Sequence, residues 1–321
     1  MGRIADAAVR LTQELDPQDQ ALLELLGRLK AAGYRFITPT PATHRLVRRR
    51  RPAHDEDFLR DIFGWSRTFL FGQLDSEVLS LIRAAGVIRE RHGELRATIR
   101  VSTVGDRLYV HSAPTDDQDA VFLGPDTYRF VRFLRATLAE RADFQTALDI
   151  GTGAGVGALN VADLAPTAEV WGSDINPLAM RFARINALHA GRPLRLVEAS
   201  GLPARPERFD LVVANPPYIA GSGGRTYRDG GDELGARLAL DWVEAALPRL
   251  NPGGRFLLYT GSAIVAGRDG QHDALRRLAE AAGASMTYEE LDPDVFGETL
   301  NQGAYCEAER IAAVGAVITA P

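Results

Sequence analysis

The chain has 321 residues, 45% of them hydrophobic, enough for two domains and a substantial buried core. Its single cysteine, Cys306, excludes an intrachain disulfide and a cysteine-based metal site, and the six histidines lack ligand spacing, so no metal is expected. No apolar run reaches membrane-spanning length, and Arg3, Asp6 and Arg10 interrupt any signal-peptide core; a cytoplasmic location without a membrane partner is expected.

The formal charge of −5 is unevenly divided. Residues 1–115 hold 18 basic and 14 acidic side chains, and the remainder holds 19 and 28. This first part reads as an α+β accessory domain that selects the substrate. Helical periodicity covers residues 2–15 and 19–32, with Gly33 as a stop. A proline-rich connection follows at 38–41, then helices near 55–63 and 76–85 and β-like segments at 97–101 and 108–111. Helices followed by a helix–glycine–two-strand pattern loosely resemble a winged-helix module. The run Arg48-Arg49-Arg50-Arg51 suits phosphates, but Asp55-Glu56-Asp57 follows at once, so a self-neutralised solvated loop is an equal reading. Few aromatic residues stand nearby, which disfavours a base-stacking platform.

From residue 120 the pattern changes. Thr127 or Asp126 can cap a helix running through Leu138. Residues 146–150 form a short buried strand that breaks at Gly151, Gly153 and Gly155, where the backbone turns tightly and can approach a ligand. Gly153, Gly155 and Ala158 also fit a dinucleotide-binding turn, so the loop alone leaves the ligand open. A second strand, 168–172, leads to Asp174, which can accept hydrogen bonds from ribose hydroxyls or cap the helix from Pro177 through Leu188. A third strand spans 194–197. The fourth, 209–214, delivers Asn215-Pro216-Pro217-Tyr218, whose prolines end the strand just past the sheet, where open α/β sheets bind ligands.

The glycine loop, the acid at Asp174 and Asn215-Pro216-Pro217-Tyr218, in this order, resemble the class I S-adenosylmethionine-dependent methyltransferases. The likeness is to the N-methylating branch, which includes release-factor glutamine, small-domain ribosomal RNA guanine and DNA adenine methyltransferases. It covers about residues 120–265 and implies a Rossmann-like, seven-stranded α/β methyltransferase domain over 116–321, with S-adenosyl-L-methionine as cofactor. Carried over residue by residue, Asp149, Gly151, Thr152, Gly153, Gly155, Asp174, Ile175, Ser200, Gly201 and Asn215 surround the cofactor. Asn215, Pro216 and Tyr218 are catalytic, and Asn215, Pro217 and Tyr218 meet the acceptor. The family's usual acidic or amide partner for the adenine is replaced here by Ser200 or Glu198, with the N–H of Gly201 or Leu202 as a further contact. Residues 120–130 resemble the segment that closes over the methionine end.

The residue types suit the reaction. A planar nitrogen is a poor nucleophile because its lone pair is delocalised. The Asn215 side-chain oxygen and the Pro216 carbonyl can accept its two hydrogens, aim the lone pair and stabilise the emerging charge. Tyr218 offers a flat face. No base or metal is needed before transfer.

Beyond Tyr218, residues 221–231 read as a glycine-rich lid or a spacer. A helix over 235–250, a turn at 251–254, a strand over 255–260, a helix over 272–282 and strands over 285–291 and 311–318 complete the count, with 294–306 as a connecting loop. Protein glutamine is the first expected acceptor, although the Glu-Pro-x-x-Ala-Leu segment common in glutamine enzymes is absent. A ribosomal RNA or other nucleic-acid amine is second, favoured by the basic first half, and a small-molecule amine third. A nucleic-acid-binding regulator that holds cofactor without turnover is the reading from a different class.

Overall fold

Asp16 opens the first described helix: its Oδ1 accepts the Asp19 N–H at 2.8 Å, and Pro17 occupies the first turn. The computed structural model describes residues 15–50, 58–139, 141–218 and 236–321. The expected helix at 2–15 and the glycine-rich segment at 221–231 therefore lie outside the described residues, apart from residue 15.

Among the described residues the first part holds four helices and two hairpins: α1 (Pro17–Ala31), α2 (Pro41–Arg50), α3 (Phe58–Phe63), α4 (Ser76–Ala84), β1 (Ile88–Arg91) with β2 (Glu94–Ala97), and β3 (Ile99–Val104) with β4 (Arg107–Ser112). Leu22, Leu25, Leu26 and Leu29 form the apolar stripe of α1 and are fully buried. Arg48, Arg49 and Arg50 are helical, on the last turn of α2, rather than in a loop. In the β1–β2 hairpin only β2 alternates, with Leu95 and Ala97 buried and Glu94 exposed, whereas Arg89, Glu90 and Arg91 of β1 are all exposed. The turn between them is specific, since His92 and Gly93 both have positive φ, as a tight hairpin requires.

The larger part alternates strands and helices: α5 (Pro125–Leu138), β5 (Thr146–Ile150), α6 (Val156–Leu164), β6 (Glu169–Asp174), α7 (Pro177–Ala190), β7 (Arg195–Glu198), β8 (Phe209–Ala214), α8 (Arg237–Ala246), β9 (Leu250–Val265), β10 (Arg268–Asp269), α9 (Gly270–Ala281), β11 (Ser285–Asp292) and β12 (Ala308–Thr319). The sheet order is β11-β12-β9-β8-β5-β6-β7, with the short β10 pairing on β9. The strands from β7 through β9 pair in parallel, and β12 runs against both its neighbours. This is a Rossmann-like α/β fold with a helical and small-sheet N-terminal region. The expected turn at 251–254 falls within the first part of β9 as an irregularity of the register, where Phe209 pairs with Leu250 and Leu211 with Arg255 and Gly253 has a φ of +69°. Two short 3-10 turns, Gly297–Asn301 and Gly303–Tyr305, fold the segment between β11 and β12.

Helix caps differ from expectation. Asn176, not Asp174, caps α7 by accepting the Leu178 N–H at 2.9 Å. Gly124 stands before α5, and the Thr127 hydroxyl reaches back to accept its N–H at 3.3 Å.

The N-terminal region packs on α7. Asp19 is buried and takes the Arg181 Nε at 2.6 Å. Asn186, also on α7, accepts the Val110 N–H at 2.8 Å and donates to the Ala154 carbonyl at 2.8 Å. One buried amide thus ties β4 to the glycine loop, and apolar packing runs continuously from Leu25 through Phe130 to Leu257.

Candidate functional site

The glycine loop follows β5, and Gly151, Gly153 and Gly155 have φ of +66°, +53° and +79°. Two of them owe their lack of a side chain to different neighbours. A Cβ on Gly151 would stand 2.7 Å from the Trp242 ring, whereas one on Gly155 would press on Ala183 of α7 at 3.2 Å. Gly155 therefore lets α6 start against α7, and it does not line the cavity described below.

Asp149 holds the loop from beneath. It is buried, and its Oδ2 accepts the Thr152 hydroxyl at 2.7 Å and the Ala158 N–H at 2.8 Å. Burial pushes its carboxyl up to about 7. The unfolded chain releases this proton near the ordinary aspartate value of 3.8, so between there and about 7 the native state binds the extra proton. Stability should therefore fall as pH rises through that window and level off above it. Asp149→Asn should remove this part of the slope in urea-denaturation midpoints; an identical pH dependence in the variant would contradict it.

Asp174 ends β6. Its Oδ2 accepts the Gly153 N–H and its Oδ1 the Asn176 N–H, each at 2.9 Å, so it shapes both loops beside it. Each carboxylate oxygen has a second lone pair, which leaves acceptors for a ligand. Burial raises its pKa.

These groups border a cavity of about 810 Å³ at the carboxyl ends of the strands, within the range of cofactor sites. Asp149, Gly151, Thr152 and Gly153 line it from β5, Asp174 and Ile175 from β6, and Ser200 and Gly201 from β7. Glu198 is exposed and is not part of the lining. Asn215, Pro216, Pro217 and Tyr218 close it beyond β8. The structure thus brings together every expected site residue except Gly155.

Other walls come from outside these motifs. Phe122 and Phe130 belong to the 120–130 segment, whose likeness to the family already set it against the cofactor, whereas Trp242 from α8 and Phe296 from the turn after β11 were not legible in the sequence. The indole of Trp242 reaches from Gly151 toward Gly201, where a Cβ would lie 3.6 Å from its Nε1. Trp242 follows the apolar stripe of α8, and that spacing reads as core. Ile175 and Phe122 remain 57% and 41% exposed, apolar surfaces facing space that a planar ligand can fill. Among the described residues no three His, Cys, Asp or Glu side chains gather as a metal site, and no helix is long and apolar enough to cross a membrane.

Residues 121–267 match the family model of the methyltransferase small domain. The chain is 34% identical over 209 residues to a release factor glutamine methyltransferase of Cereibacter sphaeroides, covering 60% of this chain and 69% of that relative. It is 31% identical over 237 residues to one of Deinococcus radiodurans, covering 68% and 83%. It is also similar to the solved 16S rRNA N2 G1207 methyltransferase of T. thermophilus in complex with AdoMet and guanosine, at 17% identity and a TM-score of 0.45, over 74% of this chain and 60% of that one. The chain therefore belongs to the S-adenosylmethionine-dependent methyltransferases that share the small domain, the family that includes the release factor glutamine methyltransferases.

Proposed function

We propose that this methyltransferase modifies the side-chain amide nitrogen of a protein glutamine, in the cytoplasm. The observation that carries the reading is the reach of the match to glutamine methyltransferases, 83% of the length of the Deinococcus radiodurans relative. When bound, S-adenosylmethionine supplies an electrophilic methyl group. Asp174 would hold its ribose hydroxyls, Gly151 to Gly153 its methionine end, and Ile175, Ser200 and Gly201 its adenine end. The Asn215 oxygen and the Pro216 carbonyl would accept the two amide hydrogens, with Pro217 fixing the turn and Tyr218 supporting the amide plane. Incubation of cell extract with radiolabelled S-adenosylmethionine tests the class of acceptor. A labelled product destroyed by protease and resistant to nuclease supports glutamine; the reverse sensitivity refutes it.

Residues 1–115 would choose the acceptor. Arg45 of α2 meets Glu298 at 3.3 Å, two residues beyond Phe296 of the cavity wall, which sets this helix beside the mouth. The exposed Arg45, Arg49 and Arg50 also favour a second reading, an RNA acceptor. Reversing these three charges to Glu should raise the KM for the acceptor severalfold and leave S-adenosylhomocysteine affinity unchanged. Unchanged acceptor KM would remove α2 from recognition. A steep loss of acceptor affinity with salt would point to phosphate contacts and hence to RNA.

A further inference from the structure

Asp126 stands in the 120–130 segment, where the sequence gives it no role beyond capping a helix, yet it is 4% exposed and lies in the cavity wall. Its Oδ1 accepts the Tyr259 hydroxyl from β9 at 3.0 Å. The Tyr218 hydroxyl lies within interaction reach of the same carboxylate, in the same cavity wall. Arg129, one turn further along α5, approaches Oδ1 at 3.5 Å while pairing with Asp292 at 2.9 Å. Two phenols and one guanidinium therefore surround a carboxylate whose burial alone would be costly. Burial raises the pKa of Asp126 and of the Tyr218 phenol, which keeps the phenol as a donor.

The rest of the Tyr218 ring is also held. A Cβ on Gly261 would stand 2.5 Å from its Cδ2, so the ring rests directly on the β9 backbone. Phe296 meets it edge-on, with centroids 5.5 Å apart and planes at 64°. Packing alone leaves a ring free to slide in its plane; a hydrogen bond at its tip stops that motion. A platform for a planar acceptor needs only a ring, and phenylalanine would supply one. The hydroxyl has its use in the contact with Asp126.

We propose that Asp126 is a positioning residue for methyl transfer, fixing through the Tyr218 hydroxyl the ring against which the acceptor lies. The inference rests on the reading of Tyr218 as the acceptor's platform. Displacements of about 1 Å at a reacting centre can cost roughly 10²-fold in rate, so a tethered ring is worth a buried carboxylate.

The test is a double-mutant cycle in single-turnover methyl transfer at saturating S-adenosylmethionine, on whichever acceptor the wild-type protein labels. Tyr218→Phe should slow transfer roughly 10- to 100-fold, the scale of a hydrogen bond to a charged group, and Asp126→Asn by about tenfold. S-adenosylhomocysteine affinity should not change. The double variant should lose far less than the product of the two single losses, because both changes break the same Tyr218–Asp126 contact. Losses that multiply, or a wild-type rate in Tyr218→Phe, would overturn the proposal. A fluorotyrosine placed at position 218 gives a readout free of any acceptor: its fluorine resonance should shift in Asp126→Asn, and an unmoved resonance also overturns it. Labelled RNA instead of protein would end the glutamine reading while the cycle, run on RNA, still decides the role of Asp126.

Discussion

Asn215→Ala is expected to slow methyl transfer by roughly 10²–10³, the usual loss when one preorganised acceptor at a charge-developing centre is removed. Asn215 sits half-buried on the segment that follows β8, and Pro216 and Pro217 keep that segment from continuing the strand. Its removal opens no core cavity, so thermal stability and S-adenosylhomocysteine affinity should stay close to wild type. Asn215→Asp should keep part of the activity, because a carboxylate oxygen also accepts amide hydrogens. Single-turnover transfer measured beside S-adenosylhomocysteine titration separates these outcomes. A wild-type rate in Asn215→Ala would mean that the nitrogen is activated elsewhere.

Asp174→Ala should have the largest effect on cofactor binding. Hydrogen bonds to charged groups are worth about 1.5–3 kcal/mol each, so losing the ribose contacts should weaken S-adenosylhomocysteine binding at least tenfold. The structure adds a second loss, since Asp174 also orders the backbone at Gly153 and Asn176. Asp174→Asn should fall between, because its amide oxygen retains one acceptor. Calorimetry is the measurement, with NAD as the comparison. Binding of NAD, or unchanged S-adenosylhomocysteine affinity in Asp174→Ala, would contradict the assignment of this cavity.

What the sequence made legible was local. The break from β5 into Gly151, the acid after β6 and the two prolines after β8 are written in consecutive residues, and each leaves its mark wherever the rest of the chain folds. The supporting contacts are tertiary and left no such mark. Gly155 looks like a ligand-binding glycine until Ala183 of α7 is seen against it. Trp242 looks like core until its ring is found between Gly151 and Gly201. Asp126 reads as a helix cap, yet its partners come from β9 and from the segment after β8. The β1–β2 hairpin escaped because β1 is charged and exposed after Ile88 and the alternation of β2 lasts only four residues.

The proposal that the acceptor is an amide nitrogen beside Asn215 is most directly tested by tandem mass spectrometry of the product formed with methyl-labelled S-adenosylmethionine, wild type against Asn215→Ala. N-methylglutamine within a protein acceptor, formed by the wild type and greatly reduced in the variant, is the expected result. A methylated nucleoside as the sole labelled product, or equal labelling by both proteins, would contradict it.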